Sequence, residues 1–520
     1  MSTSDSGAVR DFLASDGITP SEGELAALAA ARAQTEADAR TLHATAPAEG
    51  ENAGLPGRAP TFAEGTAPDA THTPDGSLLR TADALAQGKV SSVELVTELL
   101  ARADASDPGL GVYLARFDDA ALAAARDADD ARARGDVRGP LHGVPITLKD
   151  LIASREGPTT AHSAVPPRHT GGEDALVTRR LRDAGAVVLG KVSLSEFGFG
   201  ASDDPELPVT RNPWDTERWP GGSSSGSAAG VAAGLFPASI GTDTGGSIRI
   251  PSALCGVTGF KPTFGAVPVD GVVPGAPTVD TVGPIAADAA DCLALYQVIA
   301  GVPARGPGDP GILRGLRVAV DTTGLDRPGA DPAAGRAVAD AVRVLADAGA
   351  VIREQAVPGL ADLETACRVV QGAETYDTHR ERLARHWSAY GSLTRVFMAA
   401  GAFWTARDYL HAQRVRARGR RQVAEFLGEY DVVLSATIGT AAPRLDAGLL
   451  HLLPLFYTSV WNATGFPAVS LPGPPNVAGL PIGLQLAAAP AADHRLLTVA
   501  HALQMRTDWH LRRPAPSVRT

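Results

Sequence analysis

Along the chain, stretches with helical apolar spacing alternate with short continuous apolar runs. SEGELAALAAARAQTEADARTLHA brings Leu25, Leu28 and Ala29 to one face behind a Ser21–Glu24 capping-box spacing, which predicts a helix over residues 21–44. SSVELVTELLARADA sets Val93, Leu95, Val96, Leu99 and Leu100 behind a serine cap and predicts a second helix. AALAAARDADDARARG predicts a third, its charged residues turned to water. HGVPITLKD reads as a short strand, and VTRRLRDAGAVVLGKVS as a helix, a glycine stop and a buried strand. GRAVADAVRVLADAGAVIREQAV repeats that grammar without repeating the residues. Toward the end YDVVLSATI, AVSLPG and PIGLQLAAAP are strand-like, and HRLLTVAHALQMR closes as a helix. Helices alternating with buried strands predict an α/β fold, a sheet with helices on its faces.

With 520 residues, 44% of them apolar and 20% charged, the chain has the composition of a soluble globular protein. The flexible-looking GPGDPGILRG is followed at once by further structure, so residues 76–515 read as one large body. Residues 1–75 read as an N-terminal helical extension and linker, the stretch from Thr45 to Gly76 being rich in Pro, Gly, Ala and Thr. The extension is either a frayed tail or a helical arm for a partner subunit, the second of which would make the protein a homodimer.

Lys and Arg number 47 against 58 Asp and Glu, a net charge of −11 that argues against nucleic acid as a partner. Cys255, Cys292 and Cys367 form no CxxC pair and no H-E-x-x-H run occurs, so neither a disulfide framework nor a metal or other cofactor is expected. The start MSTSDSGAVRDFLASDG lacks a basic segment followed by an apolar run, and a cytoplasmic protein is the expectation. Trp219 to Thr242 carries no charge over a length that could span a bilayer. Its Gly, Ser and Ala content, with Pro220 and Pro237, predicts a buried backbone-rich segment and no membrane partner.

The densest chemical signal runs from Pro220 to Gly265. A phosphate loop would need a lysine before Lys261, and a dinucleotide fingerprint would need other glycine spacings. Gly222-Ser223-Ser224-Ser225-Gly226 satisfies the G-x-S-x-G elbow with Ser224 as nominal nucleophile. That elbow follows a strand, whereas TRNPWDTERWP is a polar loop, and none of the seven downstream histidines, His379 to His510, has the context of a triad member. GTDTGGSIR instead places Ser247 after two glycines, where backbone N–H groups are free to hold an oxyanion. Lys149, in an apolar strand-like setting, is the candidate base.

Lys149 in GVPITLKD, the GGSSSGSAAG run and GTDTGGSIRIPSALCGVTGFKPTFG, in that order and spacing, resemble the motifs of the amidase signature enzymes. TRNPWD and TGFPAVSLPG with GLPIGLQL extend the resemblance over residues 77–505. It implies a single mixed, twisted sheet between helices, and hydrolysis of a linear small-molecule amide through an acyl-enzyme. It further implies Ser247 as nucleophile, Ser223 after a cis peptide bond as bridging serine, and Lys149 as base. The oxyanion hole would be the N–H groups of Thr244, Gly245, Gly246 and Ser247, with Ser224 as a supporting hydrogen-bond partner. An ordinary lysine, with a pKa of about 10.4, cannot accept a proton at neutral pH, but burial lowers it by as much as ~3–5 units. Asp150 is adjacent, and an ion pair would keep Lys149 charged; adjacent strand residues face opposite sides, so Asp150 is expected to point away. Asp243 and Arg249 are expected to pair and brace the nucleophile loop, and Cys255 to be a packing thiol.

The substrate is less legible. Phe397, Phe403, Trp404 and Tyr409 fall close together, as do Phe456, Tyr457 and Trp461, and each group either lines an acyl pocket or packs in the core. Phe197 and Phe199, in a loop that the resemblance brings near the site, together with Tyr376, Trp404 and Trp461, are the candidate acyl-pocket residues, and they point to an aryl or medium-chain amide. The alternatives are the glutaminase-like A subunit of a tRNA-dependent amidotransferase, which the N-terminal extension and the GAVPVDGVVP text disfavour, and an ester, carbamate or urea-type hydrolase.

Overall fold

Strands buried on both faces form the centre of the molecule, a computed structural model of which describes residues 3–45, 77–166, 171–447, 452 and 455–515. In chain order the strands are β1 Tyr113–Arg116, β2 Pro145–Lys149, β3 Val187–Val192, β4 Ala238–Asp243, β5 Thr258–Lys261, β6 Thr281–Ala286, β7 Arg317–Val320, β8 Val351–Glu354, β9 Val432–Ala436, β10 Ala468–Pro472 and β11 Gly483–Ala487. They make one 11-stranded sheet in the order β1-β3-β2-β4-β6-β5-β10-β11-β9-β7-β8. β2 lies parallel to β3 and β4, and β7 parallel to β8 and β9; the other neighbours are antiparallel. The sheet is therefore mixed, and the fold is α/β.

The predicted helix–glycine–strand units appear as Leu176–Asp183 leading into β3 and Pro332–Asp347 leading into β8. One face of the sheet is covered by helices that include Ala289–Ala300, Pro332–Asp347 and Asp493–Gln504, the other by Ser92–Leu110, Asp118–Ala133 and Ser225–Ala232. Cover on both sides explains why β3 reads as a nearly continuous apolar run. The uncharged Trp219–Thr242 stretch holds the Ser225–Ala232 helix, buried at every position, and then β4. No helix among the described residues is long and apolar enough to cross a membrane.

The predicted N-terminal helix spans Glu22–Ala44 with both halves of the Ser21–Glu24 capping box formed. A shorter helix, Thr3–Ala14, precedes it; with Val9, Phe12 and Leu13 as its only large apolar residues, its periodicity is too sparse to stand out. Val9, Leu13, Ile18, Leu25 and Leu28 are buried against Tyr376, Leu383, Tyr390 and Met398 of the same chain. These helices therefore pack on their own body instead of fraying from it. The linker beyond Thr45 lies outside the described residues.

Candidate active site

Parallel β2 and β4 end side by side, which brings Lys149 next to Thr242 although they are far apart in sequence. The Lys149 Nζ donates to Ser223 Oγ at 2.7 Å and to Thr242 Oγ1 at 2.8 Å, and the side chain is fully buried. Burial lowers its pKa to about 7, with Asp243 and Asp280 opposing the shift. The carboxylate of the adjacent Asp150 turns to other partners. It pairs with the buried Lys191 on β3 and accepts from the Thr160 backbone N–H at 2.9 Å.

Ser223 follows a cis Gly222–Ser223 peptide. Its carbonyl accepts from the Ser195 N–H at 3.0 Å, and the next N–H, that of Ser224, donates to the Ser247 carbonyl at 3.0 Å, tying the serine run to the Ser247 turn. The Ser224 hydroxyl faces away from the cavity and donates to the Thr242 carbonyl at 3.2 Å. Ser225 Oγ donates to the Gly221 carbonyl at 2.7 Å, closing the turn into its helix.

The turn from Asp243 to Arg249 is held from within. The fully buried Asp243 accepts from Arg249 Nε at 2.9 Å and Nη2 at 3.0 Å, from the Gly246 N–H at 2.8 Å and from Asn462 Nδ2 at 2.8 Å. Burial alone would raise this carboxyl, but the Arg249 charge and hydrogen bonds hold it well below the usual range. Arg249 spends its other donors on the Thr458 carbonyl, Gln485 Oε1 and Asn462 Oδ1, so the buried guanidinium is well satisfied. Gly246 sits at φ +130°, and a Cβ there would lie 2.2 Å from Thr458 Oγ1. The Gly246 N–H is thus committed to Asp243. Asp280, absent from the sequence reading, is buried and accepts from Thr244 Oγ1 at 2.7 Å and the Gly275 N–H at 2.8 Å; burial raises its pKa.

Ser223 and Ser247 open together into a cavity of about 190 Å³ walled by Phe199, Trp219, Ile250, Leu393, Phe397 and Phe456. No Asp, Glu, Lys, Arg or His belongs to its described lining. Gln371 also lines it, its Nε2 donating to the Thr244 carbonyl at 2.6 Å. The aromatic candidates divide. Phe199 lines the cavity, whereas Phe197 lines an adjoining apolar cavity and packs on His379 and Tyr390. Tyr376, Trp404 and Trp461 line neither: the Tyr376 hydroxyl donates to Asp16, Trp404 packs with Val369 and Val370, and Trp461 is sealed in a cluster with Val460 and Phe466. The two aromatic groups of the sequence thus split: Phe397 and Phe456 stand in the cavity wall, while Trp404 and Trp461 are core packing. Trp219, Gln371, Leu393 and Thr242 had no signal of their own, because only the folding of distant segments brings them to Ser247. Cys255 is fully buried, and its thiol is pushed up by burial.

A family model described as Amidase matches residues 94–497. The A subunit of the glutamyl-tRNA(Gln) amidotransferase of Chloroflexus aggregans is 36% identical over 471 residues, covering 83% of this chain and 96% of that protein. Among solved structures, the peptide amidase of Stenotrophomonas maltophilia superposes with a TM-score of 0.73 at 29% identity, covering 85% of this chain and 99% of that one. A 6-aminohexanoate cyclic dimer hydrolase superposes with a TM-score of 0.74 at 26% identity, covering 84% and 98%.

Proposed function

The chain belongs to the amidase family, and from that premise we propose that it is a serine hydrolase of uncharged carboxylic amides, with Lys149 as base, Ser223 as relay and Ser247 as nucleophile. The observation that carries this reading is the 2.7 Å contact between a fully buried lysine amine and the Ser223 hydroxyl. With a pKa near 7, a substantial part of Lys149 is neutral at physiological pH and can accept a proton.

Ser223 gives its proton to Lys149 and takes the proton of Ser247, whose oxygen bonds to the amide carbonyl carbon. The resulting oxyanion is held by backbone N–H groups of the Thr244–Ser247 turn. The relay then runs in reverse, delivering the proton to the amide nitrogen as the C–N bond breaks, so the leaving group is an amine or ammonia rather than its anion. Water enters, passes a proton along the same path and cleaves the ester to Ser247, releasing the carboxylic acid.

The relatives named as components of an amidotransferase raise glutamine as an alternative substrate. Its α-ammonium and α-carboxylate would both have to leave water, at a cost that only charged or well-placed polar partners offset. The described lining, with six large apolar walls and no ionic side chain, favours an apolar or aromatic acyl group. A panel of primary and N-substituted amides, esters and carbamates, with glutamine included and products read by mass spectrometry, tests the reading. The expected result is turnover of arylalkyl and medium-chain amides well ahead of glutamine. Preferential glutamine deamidation, or no product from any amide, overturns it.

A further inference from the structure

The Ser392–Ala400 helix lies between the cavity and the N-terminal helices. On its cavity side Leu393 and Phe397, four residues apart, stand in the wall and remain 41% and 43% exposed. Phe397 stacks on Phe199, ring centroids 5.6 Å apart, so both sides of this wall are aromatic. On the opposite side Met398 and Ala399 are buried with Leu13, Ile18, Leu25 and Leu28 of the N-terminal helices.

Polar contacts fix the helix from two directions. At its start the Gly391 N–H donates to the buried Glu196 at 2.9 Å, the Ser392 N–H to Asp203 at 2.6 Å, and Thr394 Oγ1 to the Ala201 carbonyl at 3.2 Å, so it is joined to the loop that carries Phe199. Gly200 allows this approach, since a Cβ there would lie 2.1 Å from Thr394 Oγ1. From the far side, Glu24 of the N-terminal helix pairs with Arg395. Arg395 also donates to the Tyr390 carbonyl at 2.7 Å and lies over the Trp387 ring, and Trp387 Nε1 donates to Glu24 at 3.4 Å. The pair is mostly buried, at 18% and 11% side-chain exposure, where a charged contact is screened little and holds geometry well.

We infer that the N-terminal helices Thr3–Ala14 and Glu22–Ala44 determine specificity: through Glu24–Arg395 and the apolar seam they hold Leu393 and Phe397 as the wall that receives an aromatic or extended apolar acyl group. The inference rests on the amide-hydrolase reading for its substrate. Glu24 and Arg395 are positioning residues, remote from the reacting atoms. A short acyl group reaches Ser247 without touching this wall, whereas an aryl-bearing one is oriented by it.

The test compares acetamide with 3-phenylpropionamide in the full chain and in Glu24→Gln, alongside hydrogen exchange of backbone amides. In the variant, kcat/KM for 3-phenylpropionamide should fall on the order of tenfold, chiefly through KM, with acetamide changed by less than about twofold. Amides of residues 392–400 should exchange faster while those of β2 and β4 do not change. A parallel loss for both amides, or unchanged selectivity with unchanged exchange, overturns the inference. If Glu24→Gln does not fold, Arg395→Lys, which keeps the charge and loses the planar fork, must give the same shift or the inference fails. A wild-type protein that cleaves neither amide defeats the functional reading instead, and the exchange result alone then decides whether these helices hold the wall.

Discussion

Asp150 follows Lys149 directly in the chain, yet its carboxylate pairs with Lys191 on the neighbouring strand and leaves the Lys149 amine to Ser223 and Thr242. β2 ends at Lys149 and the turn that follows carries the Asp150 carboxylate to Lys191, so a potential counter-ion becomes part of the frame. Lys191→Met would strand a buried carboxylate. We expect a loss of about 3–5 kcal/mol of folding stability by denaturant titration, with much of it recovered when Asp150→Asn is added. A stability loss below about 1 kcal/mol would show that the pair does not brace β2 and β3.

Arg249 and Asp243 make the same argument for the nucleophile turn, where the hydrogen bonds of the pair are buried. Arg249→Met should lower the melting temperature clearly, corresponding to about 3–5 kcal/mol. The depressed Asp243 carboxyl adds stability that is fully present above its unfolded value of about 3.9 and is lost only as pH falls through its lower folded value. Acid unfolding of Asp243→Asn should therefore begin from a less stable protein and show a weaker pH dependence below about pH 4.

Gly246→Ala is expected to leave the chain folded with kcat reduced at least about tenfold, because a Cβ on Thr458 displaces the turn that presents Ser247. Steady-state kinetics paired with circular dichroism separates this from global unfolding.

A fluorophosphonate should add one adduct per chain, mapped by peptide mass spectrometry to Ser247. Ser224, whose hydroxyl is spent on the Thr242 carbonyl, should remain unlabelled. An adduct on Ser224 would reinstate the G-x-S-x-G elbow that the surrounding sequence argued against.

The α/β class and the helix–glycine–strand units were readable because cover on both sheet faces leaves apolar signatures in β2 and β3, whereas β4, ASIGTD, carried none. The residues around Ser247 were readable to the extent that they crowd one segment: Ser223, Asp243, Ser247 and Arg249 are local to one another, and Lys149 ends a recognisable strand. The cavity wall was not. Leu393 and Gln371 belong to helices whose patterns describe ordinary packing, and Trp461, which looked like a pocket aromatic, fills the core because Ser459–Thr464 is buried with residues of β7, β9, β10 and β11. Asp280 escaped notice for a related reason: its role as acceptor for Thr244 exists only once the Gly275–Asp280 loop closes over β4.

The central claim is that a neutral Lys149 draws the proton of Ser247 through Ser223. It is tested most directly by the pH dependence of kcat/KM for a good amide in the wild type and in Lys149→Ala. The account predicts a wild-type rate that rises with a single ionisation near pH 7, as the buried amine loses its proton, and then levels. Lys149→Ala should be slower by about 10²–10⁴-fold, lack that ionisation, and recover partly as hydroxide rises. An unchanged rate, or the same ionisation persisting without Lys149, would contradict it.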